Sequence, residues 1–266
     1  MTSPRTAQPI FRLDRVTVAY GSNAALREAT LDVAAGAMTA VIGSNGSGKS
    51  TALRVLAGLI EPTSGTVAFD GAPLQSLTPR ERARRIAYVP QDTAIPFEFS
   101  VREIVAMGRS PYISAWGFES PDDQAAIDHA VALMDLGPLV ARSILDVSGG
   151  ERQRAVIARA LAQRPSVLLL DEPGANLDMK HQIALHALLA RLNREEGLTT
   201  VTVSHDLNAV AGSDRVIALK NGRIHAMGPP TTVLTEAVVA DVFTCRALID
   251  AHPRTGRPRV TMEWIE

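Results

Sequence analysis

Cysteine is almost missing from this chain. Cys245 is the only one in 266 residues, which excludes an internal disulfide and any zinc cluster built on several thiolates. Such a cysteine is expected as a small, buried or half-buried apolar residue in a reducing compartment. Charge of one sign is lacking too: 27 basic side chains face 28 acidic ones, for a net charge of −1. That balance gives no broad cationic face, so nucleic acid is not expected as a partner. No stretch approaches the ~18 apolar residues of a membrane span, and the opening "MTSPRTAQPI" lacks the apolar centre of a secretory signal. The chain is expected in the cytosol, at most resting against a membrane protein. Lysine is scarce as well, with Lys49, Lys180 and Lys220 the only three among the basic residues. A chain that otherwise uses arginine but keeps lysine at position 49 points to a need for its compact charge there.

What is present reads as a protein of one large domain or two small ones, 46% hydrophobic and able to bury a sizeable core. "FRLDRVTVAYG" and "ATLDVAAG" alternate apolar and polar residues, as half-buried antiparallel strands do. "MTAVIG" is instead a continuous apolar run, the mark of a strand covered on both faces. A helical period runs from Lys49 to Leu59, with Gly58 as a stop signal. "GTVAFDG" is a strand closed by an Asp-Gly turn, and "RIAYVPQ" is a strand leading to Gln91. From about Thr93 to Gly149 no strand pattern survives, and the helical stretches Val101 to Met107 and Asp122 to Leu136 suggest an all-helical insertion. Sheet character returns with "SVLLLDE", followed by helix Met179 to Glu195, strand "TTVTVSH", a short helix near Leu207 and a hairpin about Asn221-Gly222. Thr231 to Glu266 holds one helix. Strands alternating with helices predict an α/β fold with a largely parallel sheet.

Gly43, Ser44, Asn45, Gly46, Ser47, Gly48, Lys49 and Ser50 fit G-x-x-x-x-G-K-[ST], between a buried strand and a helix, with Thr51 next. The glycines let successive N–H groups converge, and the helix adds its positive end, so the loop can cradle phosphate oxygens. Lys49 would lie along the β and γ phosphates, and Ser50 would offer its hydroxyl to Mg²⁺. A kinase, a GTPase or a motor could share this loop. "SVLLLDEP" then sets Asp171 and Glu172 at the end of a buried strand, where unpaired charge is costly and a cation must offset it. Asp171 suits Mg²⁺, and Glu172, expected on the opposite face by strand alternation, suits the activation of an attacking water. "DVSGGERQR" places Ser148, Gly149 and Gly150 at a second anion-ready helix start. One nucleotide does not need two cradles from one chain, unless the second serves a neighbour. No metal-ligand spacing links the histidines, and no structural zinc is expected.

In this order the three motifs resemble those of the ATP-binding cassette family over nearly the whole chain. The resemblance implies a P-loop ATPase with a RecA-like core, an antiparallel β-subdomain and a helical insertion. About 10–92 and 165–228 would form the core and β-subdomain, about 93–164 the helical subdomain with the signature, and 229–266 a C-terminal extension. It further implies that Tyr20 stacks on the adenine of ATP, that Gln91 senses the γ-phosphate and Mg²⁺, that Asp178 crosses a dimer interface, and that His205 contacts the γ-phosphate and steadies the attacking water. Two ATP molecules would be sandwiched in a head-to-tail homodimer between Gly43 to Thr51 of one copy and Ser148 to Gly150 of the other. Val147 stands where leucine is usual, and Gly174, Ala175 and Asn176 depart from the commoner residues of their loop.

A single cassette without a membrane span usually drives separate membrane subunits. "SVREIVAMGRSPY", "LDMKHQ" and "CRALIDAHPRTGRPRV" look like the cassettes of importers for ferric siderophores, haem and cobalamin, the last segment like the siderophore group. The expectation is therefore an ATPase on the cytoplasmic face of the cell membrane. It would work with two transmembrane permease subunits and, indirectly, a substrate-binding protein, for uptake of a ferric siderophore. Haem and cobalamin import, and a soluble assembly ATPase with no membrane partner, remain the alternatives.

Overall fold

The computed structural model describes residues 9–113 and 117–262. The polar opening stretch up to residue 8, three residues of the loop after Tyr112 and the last four residues of the closing segment lie outside the described residues.

The elements follow in chain order as β1 (Pro9–Tyr20), β2 (Asn23–Ala34), β3 (Met38–Gly43), α1 (Lys49–Leu56), β4 (Ser64–Phe69), β5 (Ala72–Pro73), α2 (Pro79–Arg85), β6 (Ile86–Val89), α3 (Val101–Ala106), α4 (Pro121–Leu133), α5 (Gly149–Ala162), β7 (Val167–Asp171), α6 (Met179–Glu196), β8 (Thr199–Val203), α7 (Leu207–Val210), β9 (Arg215–Lys220), β10 (Arg223–Gly228), α8 (Pro230–Val233), α9 (Glu236–Phe243), β11 (Ala247–Ala251) and β12 (Pro258–Met262). They form two compact units, one of the described residues up to Ser76 together with those from Thr199 onward, the other of Leu77–Leu198.

In the first unit the alternating strands make an antiparallel sheet in the order β2-β1-β4-β5. Its apolar face buries Phe11, Leu13, Val33 and Phe69, with the two phenylalanine rings 4.9 Å apart. The continuous apolar run becomes β3, parallel to β8 on one side and β9 on the other. Full burial of Val41 and Ile42 accounts for the missing alternation. β10 returns antiparallel to β9 through Asn221 and Gly222, whose φ angles of 50° and 78° are those of a tight two-residue hairpin. α8, α9 and the hairpin of β11 and β12 close this unit.

In the second unit β6 and β7 pair in parallel, and α5 packs on α3 and α4. Helix α2 has no counterpart in the sequence reading because "PRERARR" has no apolar stripe and buries none of its residues. Its signal was at its start instead: Thr78 and Glu81 form a capping box ahead of Pro79. Two helices end earlier than their periodicity suggests. α1 stops at Leu56, where Gly58, at φ 65°, turns its N–H back to the Val55 carbonyl at 2.9 Å. α4 stops at Leu133, two residues before Asp135 takes a φ of 51°. Cys245 is exposed, not buried or half-buried, because Thr244 closes α9 in a left-handed turn and carries the next residue outward. No helix among the described residues is long and apolar enough to cross a membrane.

Candidate functional site

The loop between β3 and α1 is built to receive an anion. Gly43, Gly46 and Gly48 all adopt positive φ, at 154°, 75° and 103°. A Cβ on Gly43 would stand 2.4 Å from the Leu219 carbonyl and 2.5 Å from Ser47 Oγ; one on Gly48 would stand 2.4 Å from the Ala25 carbonyl. Glycine is therefore required here by conformation and by space together. Lys49 is 6% exposed, and its Nζ donates to the carbonyls of Gly43 at 2.9 Å and Ser44 at 3.0 Å, so the cation is folded across the mouth of its own loop. Ser47 Oγ is buried with no hydrogen-bond partner among the described residues, a polar group that a phosphate oxygen would satisfy. Asn45 and Gly46 are exposed, and Ser44, Ser50 and Thr51 half-buried.

Sequence reasoning missed the brace behind this loop. The Gly222 N–H donates to the Ser47 carbonyl at 3.1 Å, and the Gly222 carbonyl accepts from Arg27 N–H at 2.8 Å. The hairpin turn at Asn221-Gly222 thus ties the loop to β2. Its sequence signal identified the turn but not what the turn supports.

In the second unit, β7 ends in Asp171, 1% exposed, whose carboxylate accepts a hydrogen bond from the Tyr88 hydroxyl at 3.2 Å. Tyr88 had no distinguishing mark in "RIAYVPQ". Glu172 is half-buried and lies beyond the strand with φ at 50°, so strand alternation does not set its direction; the left-handed turn does. A non-glycine residue held in that region is a strained feature of the kind that gathers at functional sites. Glu172 Oε2 accepts from the exposed Gln91 amide at 2.9 Å. Gln91 and Glu172, separated by 81 positions, are thereby brought together.

Ser148 is the N-cap of α5. Its Oγ accepts from the Glu151 N–H at 3.2 Å, and its own N–H donates to Glu151 Oε2 at 2.8 Å. The bond from the Ser148 backbone N–H first, and then the Ser148 side chain, hold the Glu151 carboxyl below its usual range. A Cβ on Gly150 would come within 3.1 Å of the Asn176 carbonyl, whereas one on Gly149 would meet nothing. Val147 is buried at 6% exposure and fills the apolar position before the cap. Asp178 caps α6, accepting from the His181 backbone N–H at 2.9 Å and contacting His181 Nδ1 at 2.7 Å; the backbone bond is the main reason its carboxyl is held below the usual range. Gln182 holds the preceding loop by donating to the carbonyls of Gly174 at 2.9 Å and Leu177 at 3.0 Å.

Arg109, inside the "GRSPY" segment, is 1% exposed. Its Nε donates to Asp123 at 2.8 Å, its Nη1 to the Ala162 carbonyl at 2.8 Å, and its guanidinium lies 3.8 Å from the Tyr112 ring centre. In the first unit Tyr20 ends β1 at 51% exposure, and His205 follows β8, exposed.

The family model for the ABC transporter matches residues 26–175. The cobalamin import ATP-binding protein BtuD of Halobacterium salinarum is 42% identical over 227 residues, covering 85% of this chain and 56% of that protein. The chain thus spans little more than half the length of that relative. The ferric enterobactin transport ATP-binding protein FepC of Escherichia coli K12 is 39% identical over 250 residues, covering 94% of this chain and 92% of that one. A dimeric post-hydrolysis state of an ATP-binding cassette bound to ADP and Pi matches with a TM-score of 0.75 and 30% identity over 83% of this chain and 98% of that chain.

Proposed function

Since the chain belongs to the ABC transporter family, we propose that it is the ATP-hydrolysing subunit of a membrane importer for a ferric siderophore. The observation that carries the ATPase reading is the Gly43–Thr51 loop, with its obligatory glycines, its unpartnered Ser47 hydroxyl and Lys49 turned across its mouth. Iron-chelate uptake is supported by FepC, matched almost end to end. Cobalamin import is the second reading, favoured by the 42% identity to BtuD.

Tyr20 offers an exposed ring for adenine. The loop amides and Lys49 bind and orient the phosphates, which supplies most of the rate for a reaction that needs little covalent help. Ser50, Gln91 and Asp171 are the residues that would hold Mg²⁺; their hydroxyl, amide and carboxylate oxygens suit that hard cation. The metal would neutralise charge on the β and γ phosphates. Glu172 takes the proton of the attacking water, with Gln91 as its hydrogen-bond partner at rest, and His205 steadies that water against the γ-phosphate.

A homodimer is supported by the ADP-bound neighbour, by Gly149, which nothing in its own chain requires, and by the exposed Met179 and Ile183 one turn apart just beyond Asp178. Two permease subunits at the cytoplasmic face of the membrane are the expected partners. The exposed Phe97, six residues past Gln91, and Phe118 give them apolar surface to grip. A substrate-binding protein would act on those subunits from the far side.

The test is Lys49→Ala in the purified chain and in the cell. Calorimetry should show ATP affinity falling by more than about 100-fold, as expected when a charge-assisted phosphate contact is removed. Growth on a ferric siderophore as sole iron source should fail. Unchanged affinity would refute the ATP site, and normal growth with ATP binding lost would refute the iron cargo.

A further inference from the structure

His205 is exposed, yet the backbone on either side of it is held. Before it, the Ser204 N–H donates to the Val41 carbonyl of β3 at 3.2 Å, and Ser204 Oγ accepts from the Asp206 N–H at 3.0 Å. After it, Asp206 caps the single turn of α7 by accepting from the N–H groups of Asn208 at 2.9 Å and Ala209 at 3.1 Å. That turn reaches the C-terminal hairpin through one side chain. Asn208 Nδ2 donates to the Val260 carbonyl at 3.1 Å, and Asn208 Oδ1 accepts from the Val260 N–H at 2.8 Å.

The pair of bonds has a specific chemistry. The His252 N–H donates to the Arg257 carbonyl at 2.8 Å, so by alternation along the hairpin Ile249 and Val260 form a non-hydrogen-bonded pair, and the Val260 N–H and carbonyl face the other edge of β12. A carboxamide offers one donor and one acceptor, and so completes that edge as a neighbouring strand would. Below it, Leu207 packs on the small cluster of Val239, Ala247 and Val260. The hairpin is itself stiffened by Arg259, whose Nε donates to Asp250 Oδ1 at 2.8 Å. Nothing in the phosphate loop or the carboxylate pair accounts for a C-terminal hairpin joined to the segment carrying His205.

We propose that Asn208 is a positioning residue for ATP hydrolysis: by docking α7 on β12 it fixes the histidine three residues earlier, and the C-terminal hairpin is the anchor. The inference rests on the reading of His205 as a contact of the γ-phosphate and its attacking water. Asn208 acts through the position of His205 by way of its bonds to Val260, so its loss is expected to lower turnover and leave ATP affinity unchanged. Misplacement of a contact group by about 1 Å costs up to about 100-fold in rate.

The test is steady-state ATPase activity and calorimetric ATP binding for Asn208→Ala and Asn208→Asp. Asn208 is exposed apart from these two bonds, so both chains should fold, which a thermal melt checks. The expected result is a fall in kcat of about 10- to 100-fold with ATP affinity within about two-fold of the parent. Val260→Pro removes the donor from the other side of the same contact. The double variant with Asn208→Ala should then be no slower than the slower single variant. Parent turnover in a folded Asn208 variant overturns the proposal. So do kcat and affinity falling together, or additive losses in the double variant. His205→Ala separates the levels: if it turns over like the parent, the reading of His205 fails first, whereas a dead His205→Ala beside a fully active Asn208→Ala removes this inference alone.

Discussion

The two glycine-bearing helix starts look alike in sequence and differ in what their glycines are for. Before α1, Gly43 and Gly48 sit at positive φ with carbonyls 2.4 Å from where a Cβ would go, so the fold itself demands them. At the first position of α5, Gly149 has open space around the position of a Cβ and lies outside the positive-φ set. The first loop is shaped by its own chain: Lys49 bonds its carbonyls and the Asn221-Gly222 turn braces its back. At the second, the cap from Ser148 and the packing of Gly150 on Asn176 are internal, while Gly149 is left facing out. An exposed glycine at a helix start that serves no internal contact leaves room for a molecule to come close from outside.

The sharpest way to break this comparison is Glu172→Gln. If Ser148–Gly150 receives the nucleotide of a second copy, arresting hydrolysis should hold two copies together. Replacing the base is expected to lower kcat by about 10²- to 10⁴-fold, and the variant should elute as a dimer with ATP and Mg²⁺ in size-exclusion chromatography. Parent turnover would remove Glu172 as base. A slow enzyme that stays monomeric with saturating ATP would leave the second helix start without its proposed ligand.

A paired substitution sharpens it further. Gly48→Ala must carry a side chain at φ 103° into the Ala25 carbonyl, and is expected to destabilise the chain by about 3 kcal/mol or more in urea titration. Gly149→Ala meets nothing and sits at the first position of α5, where alanine gains at most the roughly 0.5–1 kcal/mol that it gains over glycine in a helix interior. It should therefore leave stability equal or higher while weakening ATP-driven dimerisation. Equal effects of the two substitutions on stability would erase the distinction.

Much of this was legible beforehand, and the gaps have physical reasons. The phosphate loop announces itself because close backbone approach restricts residue type at fixed spacings, and β3 because burial on two faces leaves a continuous apolar run. Asp171 and Glu172 were visible as charge at a buried strand end, but the φ of 50° at Glu172 was not, since alternation holds only while the strand lasts. Gln182, Tyr88 and the Gly222 brace act through hydrogen bonds to partners distant in sequence or to backbone carbonyls, and such bonds leave no periodic trace. Cys245 went astray because composition predicts average burial, whereas one left-handed residue, Thr244, decides where the chain turns.

A third helix start supplies the control for a cap that is structural and nothing more. Ser120 and Asp123 form the same box at α4 that Ser148 and Glu151 form at α5, without a glycine. The bonds from Ser120, side chain first, and then the one from Arg109, hold the Asp123 carboxyl down to about 2. Because the folded value lies below the ordinary 3.8, the carboxylate stabilises the fold above pH 3.8, and that contribution is lost as the pH falls toward 2. Carbonyl-detected NMR should find Asp123 titrating near pH 2. Asp123→Asn should lower the melting temperature at pH 7 and shrink the difference from the parent at pH 2, while ATP-driven dimerisation persists below the melt. Loss of dimerisation from that remote cap would show that any weakened helix start has this effect, and Gly149 would lose its special place.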